Sequence, residues 1–198
     1  VYRCTASIDP KGHGGFGGAR DSAVERLSRF ITEVCDKQKK IYQGKFYPEV
    51  RATFERHVPY MSFPMNILFG NMGIFSPIIK KIMMGIPAAS AMLSTGLSLT
   101  TLNGGDTREP QIRAKAAETT MFLRCIREED LYQGLDKIKE IGHKYGVEIE
   151  EIERDYCKPT DFEGEMYQMV EDILHTNFPE VPMGEIFRWA SLNGARFL

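Results

Sequence analysis

Ala117-Glu118-Thr119-Thr120-Met121-Phe122-Leu123-Arg124-Cys125, followed by a helical run to Tyr145 and by Gly146-Val147, is the stretch whose reading decides the fold. Ala117, Thr119, Met121, Leu123 and Cys125 alternate with Glu118, Thr120, Phe122 and Arg124, the two-residue period of a strand with one face in a core. Behind it Leu131, Leu135, Ile138, Ile141 and Tyr145 fall on one helical stripe, so the spacing predicts a helix over 129–145. Gly146 suits the left-handed residue that ends such a helix. Val147 to Glu153 then reads as a short strand with charged edges.

The same units recur upstream. Tyr2, Cys4, Ala6 and Ile8 alternate with Arg3, Thr5 and Ser7, predicting a strand from Val1 to Asp9. Ser22-x-x-Glu25 is a capping box, and Ala23, Val24, Leu27, Phe30, Ile31 and Val34 give an amphipathic helix from 21 to about 38. Gly96 to Leu102 reads as another strand, closed by the turn Asn103-Gly104-Gly105-Asp106. The order is strand, helix, insertion, strand, strand, helix, strand. That is the β-α-β-β-α-β pattern of a ferredoxin-like α+β sandwich with a four-stranded antiparallel sheet.

The insertion, about 41–94, is cut by Pro48, Pro59, Pro64, Pro77 and Pro87 into short pieces that read as small helices. No residue from Ile82 to Gly105 is charged, but Pro87, four glycines and many Ser and Thr make the run too polar and too broken to span a bilayer. Its Met and Phe content suits a surface that meets a partner or substrate. After about 158, Thr160-x-x-Glu163 predicts the cap of a further helix bearing Phe162, Met166, Met169, Val170, Ile173 and Leu174. The expected division is 1–156 as one domain and 157–198 as a stub of another.

Charge and composition exclude more than they assign. The 198 residues carry 25 basic and 27 acidic side chains, well mixed, so no single-sign field points to nucleic acid or to an anionic membrane. Position 1 is Val, the expectation for a piece of a longer protein, and no signal peptide is visible. Cys4, Cys35, Cys125 and Cys157 are widely spaced without a C-x-x-C pair, which argues against a zinc ribbon. They read as buried free thiols in a reducing compartment, the cytoplasm.

Chemistry is sparse. Lys11-Gly12-His13-Gly14-Gly15-Phe16-Gly17-Gly18 joins the first strand to the first helix. It is a literal G-x-G-x-x-G, yet a dinucleotide site needs a second parallel strand soon after the helix, and a proline-broken region follows instead. The loop reads either as a catalytic flap from which His13 projects or as a simple turn. Glu128-Glu129-Asp130 fits a helix N-terminus and Glu150-Glu151 an exposed strand edge. His57, His143 and His175 are scattered, with no H-x-D or H-E-x-x-H, so no metal site is expected within this chain. Arg124 and Arg196 can each pair with a surface acid or hold a substrate carboxylate.

These residues together resemble the zinc-dependent peptidase and amidohydrolase family of carboxypeptidase S, aminoacylase and succinyl-diaminopimelate desuccinylase. Lys11-Gly12-His13-Gly14-Gly15 resembles that family's G-H-[SA]-S loop, and Thr100-Thr101-Leu102-Asn103-Gly104-Gly105 its strand leading to a Gly-Gly turn. Gln111-Ile112-Arg113-Ala114-Lys115-Ala116-Ala117 takes the place of N-V-I-P-x-x-A, with Arg124 thirteen positions after Gln111, where the family has an arginine. Phe63-Pro64-Met65 and Ile74-Phe75-Ser76-Pro77 are most similar to the carboxypeptidase S branch, and Ser191 to Arg196 resembles a degraded G-G-T-D-S-R loop. The resemblance implies a lid and dimerisation domain interrupting a catalytic domain that binds zinc. It implies a homodimer in which the lid histidine, His13 here, stabilises an oxyanion on an amide substrate, a small peptide or N-acyl amino acid. Gln111, Arg124 and Arg196 map to substrate-contacting positions. Gln111 replaces asparagine, Ala114 proline, Asn193 threonine and Gly194 aspartate, so substrate recognition differs there. The rival reading is a non-catalytic dimerising or regulatory ferredoxin-like module.

Overall fold

The structure, a computed structural model, describes residues 1–8, 21–109, 111–155 and 163–181. Its elements in chain order are β1 (Tyr2–Ser7), α1 (Ala23–Ile41), α2 (Pro48–His57), α3 (Met65–Gly70), α4 (Met72–Met84), α5 (Pro87–Ser90), β2 (Gly96–Gly104), β3 (Ala116–Arg124), α6 (Glu128–Tyr145), β4 (Val147–Glu151) and α7 (Glu165–Asn177). They form two compact units. One holds β1 and α1 with β2, β3, α6 and β4; the other holds α2 to α5 with α7.

The first unit is the expected sandwich. Its four strands run in the order β2-β3-β1-β4, every neighbouring pair antiparallel. Register follows the pleat: Cys4 faces Thr119 on one side and Ile149 on the other, and Ala6 faces Ala117 and Val147. The inward face of β1 buries Tyr2, Cys4 and Ala6 against Leu27, Phe30 and Val34 of α1 and Leu135 and Ile138 of α6. Burial pushes the Cys4 thiol up to about 12, so it packs as a small apolar group.

Helix ends follow the sequence signals closely. Ser22 Oγ accepts from the Glu25 amide at 3.2 Å, and α1 runs on to Ile41. Gly146 closes α6 at φ +64°. Glu33 ties the two helices together. It accepts from Lys144 at 2.7 Å, from Lys37 at 2.5 Å and from the Tyr145 hydroxyl at 2.6 Å, and these bonds hold its carboxyl down at about 2.

Some expectations need correction. Val24 is partly exposed, because it lies beside Gly104 at the rim. β2 runs on through Asn103 and Gly104, with a bulge at Thr100 that shifts its register against β3. β3 stops at Arg124, leaving Cys125 half-buried beyond it, and Cys35 is exposed. β4 ends at Glu151, where its partner strand runs out, although the Ile152 amide still bonds Val1 O at 2.9 Å.

In the second unit Phe54 of α2 stacks on Phe69 of α3 at 4.7 Å between centroids, over a core of Val50, Met72, Ile79, Met83 and Leu93. Pro48 and Pro87 open helices, but Pro77, expected to divide the stretch, lies inside α4. It removes one ladder bond without dividing the helix, because packing of Met72, Ile79 and Met83 holds both sides of it. α7 starts at Glu165 behind Gly164, so Glu163 precedes the helix instead of capping it; Thr160 and Phe162 lie outside the described residues. Arg56 anchors α7, donating at 2.8 Å to both Glu171 and the Tyr167 hydroxyl.

One contact in the first unit invites a direct check. A Cβ added at Gly134, mid-α6, would lie 1.9 Å from Tyr42 Cε1. Helix propensity favours Ala over Gly by about 1 kcal/mol, whereas overpacking costs roughly 1–3 kcal/mol or more. Tyr42 is buried, so its ring has no easy escape. Gly134→Ala is therefore expected to destabilise by about 2 kcal/mol in urea unfolding, and a more stable variant would contradict the packing.

Candidate functional site

The segment after Gln111 pins both stems of the loop that carries His13. The Ile8 amide donates to Lys115 O at 2.9 Å, and the Ala23 amide donates to Ala114 O at 3.0 Å. The chain therefore leaves β1 and enters α1 beside the same two residues. Asp21 and Arg26, paired through both carboxylate oxygens, brace the second stem, and the guanidinium holds the Asp21 carboxyl below the usual range.

Across from these stems is the β2–β3 connection. A Cβ at Gly104 would lie 2.9 Å from both Ala117 Cβ and Val24 Cγ2, so only glycine permits this approach of β2 to α1. Gly105 follows at φ +74°, a left-handed turn that also favours glycine. Asp106 accepts from the Arg108 amide at 2.9 Å and from its guanidinium at 3.0 and 2.8 Å, which lowers the Asp106 carboxyl. Between the stems and this turn lies an open recess of about 450 Å³, lined by Ser22, Glu25, Gly105, Asp106, Gln111 and Arg113 among others. It offers hydrogen-bonding groups of both signs beside the apolar side chains of Val24, Ile112 and Ala114.

The expected site residues divide accordingly. Gln111 is exposed on this recess, beside the stems of the His13 loop. Arg124 is half-buried at the far end of β3, opposite Gly96. A nine-residue strand spans roughly 27 Å, so one small ligand cannot touch both within a single chain. His13 and Arg196 lie outside the described residues. Arg113 also borders the recess, and nothing in the sequence but its place two residues after Gln111 marks it.

The other histidines offer no metal chemistry. His57 Nδ1–H donates to Thr53 O at 2.7 Å within α2. Among the described residues no group of three His, Cys, Asp or Glu side chains can hold a metal ion. The described residues do not fit zinc. Elemental analysis of this purified chain is expected to find far less than one zinc per molecule; stoichiometric metal would overturn that. Among the described residues no helix is long and apolar enough to cross a membrane.

The antiparallel β2-β3-β1-β4 layer finds its match among known proteins. The sequence model of the M20 family's peptidase dimerisation domain matches residues 3–150. The chain belongs to that family. This M20 dimerisation domain is 27% identical over 124 residues to the mouse N-fatty-acyl-amino acid synthase/hydrolase PM20D1, covering 61% of this chain and 24% of that protein. Its fold is similar to the M20 family metallo-carboxypeptidase Sso-CP2 from Sulfolobus solfataricus, at TM-score 0.51 and 15% identity, over 92% of this chain and 51% of that one. Human carnosine dipeptidase 1 is similar at TM-score 0.50 and 13% identity, over 93% of this chain and 42% of that one. The M20 dimerisation domain thus spans about half the length of these structures or less, and about a quarter of the mouse relative. The family expected from the loop and strand motifs is the one found.

Proposed function

We propose that this chain is the lid and dimerisation domain of a zinc-dependent M20 peptidase or amidohydrolase that hydrolyses an amide bond. Its substrate is a small peptide or an N-acyl amino acid; the printed name of the mouse relative, an N-fatty-acyl-amino acid synthase/hydrolase, supports the second class. Residues 1–156 act as the lid and 157–198 as the return to a catalytic domain of the same protein, which holds the metal. The unpaired thiols support a reducing compartment, the cytoplasm.

The observation that carries the reading is the pinning of both stems of the His13 loop to Ala114 and Lys115, within the family match. A glycine-rich loop held at its base can extend its tip while keeping its aim. His13 donates a hydrogen bond to the oxygen that becomes negative as the amide carbon is attacked. Gln111, beside the stems, orients the substrate. Arg124 and Arg196 bind carboxylate.

The active form is a homodimer. Of the two sheet edges, β4 carries Glu148, Glu150 and Glu151, which repel another strand. β2, the other edge, has nine residues and no charge, with Ser98, Thr100, Thr101 and Leu102 exposed. Antiparallel pairing of β2 with its copy would join two sheets into one. The test of the catalytic reading is turnover of the complete protein with His13 replaced by alanine, with metal content measured alongside.

A further inference from the structure

The balanced charge of the whole chain conceals a local imbalance. From Arg56 through Gly105 the sequence has no Asp or Glu, and after Arg56 its only charged residues are Lys80 and Lys81. Within the second unit this stretch supplies α3 and α4. α4 turns Met72, Ile79 and Met83 into the core. Ile74, Ile78 and Ile82 step along the opposite side, 76%, 53% and 50% exposed. A surface helix ordinarily shows water its polar residues there. Ile67 of α3, Ile86 after α4 and Phe63 before α3 add further exposed apolar surface to the same unit. Lys81, three residues after Ile78, is exposed beside the stripe.

We propose that this face is a peripheral docking surface for anionic lipid. The isoleucine stripe enters the boundary between headgroups and acyl chains, and Lys81 meets the lipid phosphates at its edge, its stem lying along the apolar layer. Three features select lipid over a protein partner. α4 is apolar on both sides, with Ser76 and the two lysines its only polar side chains. The stretch that forms the face carries no acid to repel a negative surface, the described acids of its unit lying outside it, as on α2 (Glu49, Glu55) and α7 (Glu165, Glu171, Asp172). The exposed stripe is aliphatic and offers no hydrogen-bonding group to fix the register of a protein, whereas protein interfaces favour Tyr, Trp and Arg at their centres. The contact is peripheral, since a thirteen-residue helix is too short to span a bilayer. The inference goes beyond the catalytic reading and does not rest on it.

The experiment is flotation of the complete protein with phosphatidylcholine vesicles, and with vesicles in which roughly one quarter of the lipid is phosphatidylglycerol. Wild type is expected to float with the anionic vesicles, about ten-fold more than with the neutral ones. The variant Ile74→Ser/Ile78→Ser/Ile82→Ser should lose that binding at least about ten-fold, while the conservative Ile74→Leu/Ile78→Leu/Ile82→Leu keeps it. Lys81→Glu should weaken only the anionic-vesicle binding. Circular dichroism on each variant checks the fold. Wild type that floats with neither vesicle overturns the proposal. So does a folded serine variant that floats like wild type, or one whose sedimentation mass falls, which would show that protein covers the face.

Discussion

Replacement of His13 by alanine in the complete protein is expected to lower kcat by about 10²-fold or more. Removing one donor aimed at a developing oxyanion costs roughly 2.7–4 kcal/mol of transition-state stabilisation, which is a factor of about 10² to 10³. The donor meets an oxygen that carries charge only as the amide is attacked, so kcat should fall and KM should change little. A fall in KM-linked affinity alone would place His13 in substrate binding instead. Metal content should stay at the wild-type level, because the proposed role does not include ligation. His13→Gln, which keeps an N–H donor, should restore part of the loss. Turnover unchanged in His13→Ala would remove the imidazole from the mechanism and favour the non-catalytic dimerising module.

Lysine at two positions on the β2 edge is expected to split the dimer. Ser98 and Leu102 are exposed, so Ser98→Lys/Leu102→Lys should leave the fold of each protomer intact. In an antiparallel β2–β2 pairing the introduced charges of the two copies would line the join on both faces of the sheet, since the bulge at Thr100 puts Ser98 and Leu102 on opposite faces. Like-charge contacts at an interface cost several kcal/mol, and natural edge strands use lysine for this purpose. The dimer dissociation constant should rise at least about 10²-fold at low salt, equivalent to about 2.7 kcal/mol. High salt should recover part of it. Sedimentation equilibrium reads the result, with thermal unfolding as the control on the protomer. A dimer that persists at micromolar concentration would move the interface away from β2. The same pair of lysines on β4 should do nothing to assembly.

Much of the sandwich is legible in the sequence because its signals are local. Cys4 and Ala6 show the strand period, and Leu27, Phe30 and Val34 show the helical one. Ser22 and Gly146 supply caps whose geometry depends only on a few neighbours. The four-stranded order follows from that succession of elements. Pro77 shows the limit of local reading: proline is unfavourable inside a helix, but tertiary packing of Met72, Ile79 and Met83 outweighs it. The helix expected behind Thr160-x-x-Glu163 begins only at Glu165, behind Gly164.

The candidate site was legible only in part. Sequence alone singled out His13 and Gln111, and the family to which they belong, because a glycine-rich turn and a run of short motifs are contiguous features. It also determined which stretch is free of acids, since charge is counted along the chain. Tertiary structure decided which of these features meet. It brought the stems at Ile8 and Ala23 to Ala114 and Lys115 through backbone bonds that no pattern encodes. It separated Gln111 from Arg124 by the length of β3, and turned Ile74, Ile78 and Ile82 outward. The physical reason is that periodicity fixes which side chains share a face, whereas only the packing of that face against others determines what lies opposite it and what is left to water.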